Sequence, residues 1–176
     1  MTRAKTARLR LARSAVLVIG CMTISALAQL SSPIAGGLPV GNGAGVHSPN
    51  SPFAPIEQRA GVLPWSMLTA VKTKVQKNRL VPVFPAEVQA LNKQSQRIQG
   101  FMMPLEPGER HTHFLLSAVP LTCSFCIPGG PESMVEVRSK TPIKYSMEVV
   151  AVEGQFAVME NDPSGLYYRM TGAVRF

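Results

Sequence analysis

The residues best able to do chemistry in this chain lie close together in the sequence. His111 and His113 form a His-x-His pair, and after an apolar run Cys123 and Cys126 form a Cys-x-x-Cys pair. Imidazole and thiolate groups are the ligands that zinc and copper select. By residue type and number, the four side chains therefore predict a transition-metal site.

The spacing of the two pairs argues against a single site. Two residues apart on a strand, His111 and His113 would face the same side. If residues 113–119 form an extended strand, its ends lie roughly 20 Å apart, at about 3.3 Å per residue. A site that joins the histidines to Cys123 and Cys126 then requires a sharp bend in the chain.

The cysteine pair has two further interpretations. In an oxidising compartment Cys123 and Cys126 can form a structural disulfide, or they can act as a thiol–disulfide redox centre. A redox pair of this spacing is typical of a helix N-terminus, whereas Pro128, Gly129 and Gly130 oppose a helix here. Metal binding and a structural disulfide are therefore favoured over redox catalysis.

The N-terminal residues have the features of an export signal. Residues 1–28 begin with a basic segment that lacks acids, continue with an apolar run, and end in Ala26-Leu27-Ala28, so we predict cleavage after Ala28. Two alternatives are a lipoprotein anchored at Cys21, which follows a lipobox-like Val18-Ile19-Gly20, and a retained anchor. The run is short for a transmembrane span, so we expect a periplasmic protein with no stable membrane span after cleavage.

Removal of this segment changes the charge balance of the chain. The whole chain has 18 Lys and Arg against 10 Asp and Glu, a formal net charge of +8. Five of the basic residues lie in the predicted signal, which leaves 13 against 10, or +3. That balance is ordinary for a protein surface, so we do not expect a nucleic-acid partner.

The remainder of the chain is predicted to form one domain behind a linker. Residues 29–55 alternate proline with glycine and are expected to be disordered and dispensable for folding, with His47 solvated. Residues 56–176 are expected to form a single β-rich domain. Helical patterns cover 64–78 and 85–93.

Short alternating segments indicate the rest of the fold. Tight turns are predicted at Glu153-Gly154 and at Asn161–Gly165. The fold class is therefore predicted as mainly β with an N-terminal helical segment (α+β), and its architecture as a small OB-like antiparallel β-barrel. The predicted strands are 97–105, 113–119, 134–138, 144–152, 155–160 and 166–175.

Several short motifs, taken in order, resemble one protein family. They are Pro64-Trp65-x-x-Leu68, Phe84-x-x-x-Val88-x-x-Leu91, Gly100-Phe101-Met102-Met103-Pro104-Leu105, Phe114-Leu115-Leu116, the cysteine loop with Pro128 and Pro131, and Val135-Glu136-Val137. This set resembles a bacterial family of exported proteins known only as a domain of unknown function, over about residues 64–176. The resemblance implies a transport or metal-supply context with ABC-type transporter components, and implies no particular activity. In place of the family's proline-rich, asparagine-containing loop, this chain has Gly129-Gly130.

No complete catalytic motif accompanies these residues. The sequence has no nucleophile elbow, phosphate-binding loop or dinucleotide-binding glycine pattern. We therefore expect a non-enzymatic accessory or binding protein that handles zinc or copper through Cys123 and Cys126, with help from His111 and His113. The alternatives are an interaction module with a Cys123–Cys126 disulfide and a periplasmic thiol–disulfide redox protein.

Overall fold

The structure is a computed structural model that describes residues 43–76 and 79–176. The predicted signal peptide, including Cys21 and the cleavage site at Ala28, lies outside the described residues, as do residues 29–42 of the predicted linker. Within the described ranges, no helix combines the length and the apolar character needed to cross a membrane.

Seven strands and three short helical segments make up the described part of the chain. In chain order, these are α1 (Trp65–Leu68), β1 (Lys72–Gln76), β2 (Arg79–Val83), α2 (Ala86–Ala90), β3 (Ser95–Pro104), β4 (Arg110–Ser117), a 3-10 helix (Pro131–Ser133), β5 (Met134–Lys144), β6 (Val149–Val158) and β7 (Tyr168–Arg175).

Five of the strands close into a barrel. Their order around the barrel is β3-β4-β5-β7-β6, and β6 pairs with β3 to complete the circle. Every neighbouring pair is antiparallel except β5 and β7, which run parallel. The predicted fold, mainly β with a small OB-like barrel, is confirmed. The barrel was predicted to be antiparallel, whereas the pair of β5 and β7 is parallel. The strands β1 and β2 form a separate two-stranded sheet.

Alternation along the strands fills the barrel with apolar side chains. Val135 and Val137 of β5 are fully buried in this core, and the residue between them, Glu136, is also buried but lies outside the apolar cluster. α1 is tied to the core by Tyr168, whose hydroxyl donates a 2.7 Å hydrogen bond to the carbonyl oxygen of Leu68. Members of the core include Ile98, Phe114, Leu116, Val150, Val152, Phe156 and Met170.

The predicted helix over 64–78 is wrong beyond its first turn. Only Trp65–Leu68 is helical, and the chain continues into β1. The sequence from Val71 to Val75 alternates β-branched residues with lysines, which is the two-residue period of a strand. The predicted helix over 85–93 is confirmed as α2.

The predicted turn at Glu153-Gly154 is also wrong. The segments 144–152 and 155–160 were predicted as two strands, but β6 runs continuously from Val149 to Val158. A Cβ atom on Gly154 would lie 2.9 Å from the Cα atom of Ala173 on β7. The glycine therefore allows β6 and β7 to approach closely at a register shift, rather than reversing the chain.

Candidate functional site: a disulfide-closed loop beside a buried carboxylate

The cysteines lie in the long connection between β4 and β5, here called the cysteine loop (residues 118–130). Cys123 and Cys126 form a disulfide with their Cα atoms 5.4 Å apart. Cys123 is buried, whereas Cys126 is partly exposed. Leu121 packs on a small apolar cluster formed by Leu115, Met134 and Leu166. The loop is therefore fixed at two points, by its own disulfide and by a contact with the folded domain.

A third attachment comes from residues 43–53, here called the strap. Val46 and Ile127 exchange two backbone hydrogen bonds of 2.8 and 2.9 Å, and the amide of Gly130 donates a 2.7 Å hydrogen bond to the carbonyl oxygen of Gly43. The Ser51 hydroxyl lies 3.4 Å from the sulfur of Cys123. The strap therefore crosses the cysteine loop and holds it in a defined conformation.

The strap occupies most of the described part of the predicted linker. Phe53 and His47 both pack on the ring of Phe101, with ring centroids 6.1 and 6.5 Å away. The Nε2 atom of His47 is buried, with no hydrogen-bond partner in the part of the chain that the structure describes. The predicted solvated His47 is therefore wrong, because the strap lays its ring against the barrel.

The cysteine loop presents apolar side chains to solvent. Phe125 is 62 % exposed and Ile127 is 60 % exposed, and Val46, which pairs with Ile127, is also exposed. Backbone hydrogen bonds of Ile127 and Gly130 with the strap fix the backbone at this end of the loop. The result is an apolar surface on a restrained loop.

The two histidines occupy different environments on β4. The Nε2 atom of His113 lies 2.8 Å from Oε1 of Glu136, which is on the neighbouring strand β5. His111 is buried, and its Nε2 atom has no hydrogen-bond partner among the described residues. The pairing of β4 with β5 shifts its register between His111 and His113, so the two side chains have different neighbours.

The structure joins the two cysteines but does not bring the histidines to them. Among residues 43–76 and 79–176, no group of three or more His, Cys, Asp or Glu side chains is arranged to hold a metal ion. With the sulfurs joined in a disulfide, neither cysteine offers a thiolate ligand. Metal binding by this set remains a prediction for the reduced protein.

Glu136 is the centre of a charged network that crosses three strands. Its side chain is only 5 % exposed, and it accepts hydrogen bonds from Arg138 at 2.9 Å and from Nε of Arg169. Arg169 continues the network to Asp162 at 3.3 Å. Buried carboxylates are costly unless they are paired in this way.

Burial alone would raise the pKa of Glu136, since it penalises the charged form. The hydrogen bonds from Arg169, His113 and Arg138 outweigh that effect and lower the pKa below its usual 4.5. The carboxylate is therefore ionised at neutral pH and orders the side chains around it. The network stabilises the face of the barrel that lies beside the apolar cluster under the cysteine loop.

The sequence did contain a signal for this network. Glu136 stands between two valines of the Val135-Glu136-Val137 motif, and Arg138 follows on the same side of the strand. A lone acid in an apolar strand indicates a paired carboxylate. Its distant partner could not be named, because Arg169 is on β7 and only the parallel pairing brings it opposite Glu136.

The fold and this site define a small β-barrel protein with a disulfide-closed loop. The profile of the family described as "Protein of unknown function (DUF3299)" matches residues 58–172, and the chain belongs to that family. The predicted family resemblance is thereby confirmed. Among proteins of curated function, none matches the chain.

One solved structure is similar to the chain over part of its length. It is a crystal structure of a DUF3299 family protein from Pseudomonas aeruginosa PAO1, with 22 % sequence identity and a TM-score of 0.38. The match covers 49 % of this chain and 64 % of that chain.

Proposed function

We propose that this chain is an exported, non-enzymatic binding protein that docks onto a partner protein through the cysteine loop. The observation that carries the proposal is the exposure of Phe125 and Ile127 on a loop held by a disulfide and by the strap. Large apolar side chains exposed on one segment of a protein surface commonly indicate an interaction site.

The restraint on the loop suits it for binding. Ordering a flexible loop on association costs free energy, and a loop already fixed by a covalent bond avoids much of that cost. The Cys123–Cys126 disulfide and the Val46–Ile127 hydrogen bonds supply this restraint. Aromatic residues, phenylalanine included, are enriched at protein interfaces.

The partner that suits this surface is a protein with an apolar pocket of the size of a phenylalanine ring. The family resemblance favours an ABC-type transporter component as that protein. The periplasm is the proposed location, since the predicted signal peptide would deliver the chain there and an oxidising compartment preserves the disulfide.

Site-specific photo-crosslinking in the native host tests the proposal. A photoreactive phenylalanine analogue at position 125 should give a discrete crosslinked protein. The same analogue at Leu105, an exposed residue in the turn at the opposite end of β4, is the matched control. Identical adducts from both positions, or none from position 125, would contradict the proposal.

Substitution of the apolar residues is a second test of the proposed docking surface. Phe125→Ser combined with Ile127→Ser should abolish the crosslink from a probe at the neighbouring Val46, whereas Leu105→Ser should preserve it. All three side chains are exposed, so the variants are expected to keep the fold. Unchanged crosslinking in the double variant would show that the apolar side chains do not carry the interaction.

Transition-metal handling is a second candidate function. It is supported by the closeness of Cys123 and Cys126, which after reduction could chelate zinc or Cu(I) as two thiolates. His111 and His113 would then contribute only after rearrangement of the chain. A thiol–disulfide redox role receives less support, because Cys123 is buried and no helix begins at the cysteines.

A further inference from the structure

The hairpin formed by β1 and β2 pairs with no strand of the barrel. Within the described residues its two strands hydrogen-bond only with each other, in the register Lys72 opposite Val83 through Gln76 opposite Arg79. All five residues of β1 are exposed. A two-stranded hairpin gains little stability on its own, so an exposed hairpin of this kind suggests a role outside the fold.

An apolar pair lies near the free end of this hairpin. Val75 and Leu80 are directly opposite each other, and they are 74 % and 69 % exposed. They are the two most exposed large apolar side chains in the described part of the chain. Neither side chain belongs to the core of the barrel.

The charged side chains on the two strands of the hairpin are all basic, although acids of the barrel loops, Glu132, Glu160 and Asp162, line the same cavity as Leu80. Lys72 and Lys74 on β1 and Arg79 on β2 are exposed, and none of the three forms an ion pair within the described ranges. In the sequence, no Asp or Glu occurs between Glu57 and Glu87. The hairpin therefore combines an apolar tip with a local excess of positive charge.

We propose that the β1–β2 hairpin binds the surface of an anionic lipid bilayer. The cations would lie among the lipid phosphates, while Val75 and Leu80 enter the boundary between headgroups and acyl chains. Basic residues beside a bilayer gain favourable interaction with anionic lipids, and buried apolar area adds to it. This inference is independent of the cysteine loop and its partner.

The small area of the apolar and basic surface on the hairpin favours a lipid bilayer over an acidic protein as its partner. A specific protein interface buries about 800 Å² on each partner in a shape-complementary contact. Two aliphatic side chains and three cations on a narrow hairpin provide little of that area. A bilayer needs no matching pocket, and it accepts a small apolar tip flanked by cations.

Vesicle co-sedimentation of the purified chain tests the proposal. Vesicles of phosphatidylcholine alone are compared with vesicles that contain an equal share of phosphatidylglycerol. We expect binding to the anionic vesicles and its loss at high salt. Lys72→Gln, Lys74→Gln and Arg79→Gln together should weaken partitioning by roughly a hundredfold, from the usual contribution of each basic residue. Val75→Ser with Leu80→Ser should weaken it separately.

The matched control removes the same charge from the barrel. Lys140→Gln, Lys144→Gln and Arg175→Gln change three exposed cations on β5 and β7. All variants carry the same N-terminus, so differences between them report on the substituted residues. If the control variant loses as much vesicle binding as the hairpin variant, binding depends only on net charge and the proposal is overturned. Equal binding by all variants, no binding to anionic vesicles, or binding to polyglutamate in place of vesicles would also overturn it.

Discussion

Val46 and Ile127 exchange two backbone hydrogen bonds, and this isolated β-bridge, with the bond from Gly130 to Gly43, fastens the strap to the cysteine loop. On one side of this bridge lies the Cys123–Cys126 disulfide, and on the other lies Gly45. The conformation of the loop therefore depends on residues that precede the barrel in the sequence. This dependence can be tested by perturbing the strap without touching the loop.

Gly45→Ala should destabilise the protein more than Gly61→Ala. Both glycines have positive φ angles, +73° and +74°, so each alanine costs about 1 kcal/mol in backbone strain. At Gly45 the new Cβ atom would also lie 2.6 Å from a methyl carbon of Val119, whereas Gly61 has no neighbour within 4 Å. The crowding should add about 1–3 kcal/mol. Urea unfolding of both variants measures the difference, and equal losses would contradict the packing of the strap.

Glu136→Gln should lower the free energy of unfolding by about 2 kcal/mol at neutral pH. This is less than the roughly 3–5 kcal/mol for a broken, fully buried pair, since Arg138 and Arg169 remain partly in water. Glu153→Gln is the control, because Glu153 and its partner Arg97 are both exposed, and it should cost under about 1 kcal/mol.

The pH dependence of the Glu136 contribution has a defined sign. The pKa of Glu136 is lowered in the folded protein, so its stabilisation is fully present above its usual pKa of 4.5 and is lost as the pH falls through the folded value. The difference in unfolding free energy between the wild type and Glu136→Gln should therefore shrink below about pH 4.5. A difference that stays constant or grows toward acid pH would contradict the network.

His111→Leu and His113→Leu should have opposite effects on stability. His111 is buried with an unpaired Nε2 atom, so an apolar side chain of similar size should be neutral or stabilising by up to about 1 kcal/mol. His113 donates a 2.8 Å hydrogen bond from Nε2 to the ionised carboxylate of Glu136, and its loss should cost about 1–2 kcal/mol. Thermal and urea unfolding of the two variants measure these changes in stability. A large loss at His111 would indicate a bound group that needs its imidazole.

Uptake of zinc or Cu(I) should require a reductant. The disulfide has no thiolate to offer, and reduction releases two of them at Cys123 and Cys126. Binding should then release protons and weaken as the pH falls. Equilibrium dialysis with and without reductant measures the switch, and Cys123→Ser with Cys126→Ser should abolish it. If the reduced protein binds neither metal at micromolar concentration, the metal hypothesis is wrong and the structural disulfide replaces it.

The amino-acid sequence by itself determined the features that depend on neighbouring residues. The alternation of apolar residues predicted strands at each position in the barrel, although it divided β6 in two, and the pattern at 85–93 predicted α2. The Asn161–Gly165 segment is a turn in which the Asp162 carboxylate accepts a 2.9 Å hydrogen bond from the amide of Ser164. Each of these signals is local, because secondary structure is favoured by periodicity and turn residues within a few positions.

Contacts between residues that are distant in the sequence were decided only by the tertiary structure. Glu153-Gly154 has the composition of a turn, but Gly154 allows the close approach of β7. Gly45 of the strap has the composition of a linker, but it fits closely against Val119 and Ile127. Arg169 reaches Glu136 because β5 and β7 are parallel neighbours in the closed barrel. The physical reason is the same in each case: the energy of a glycine or a buried charge depends on atoms that chain topology brings near, and spacing along the sequence does not reveal them.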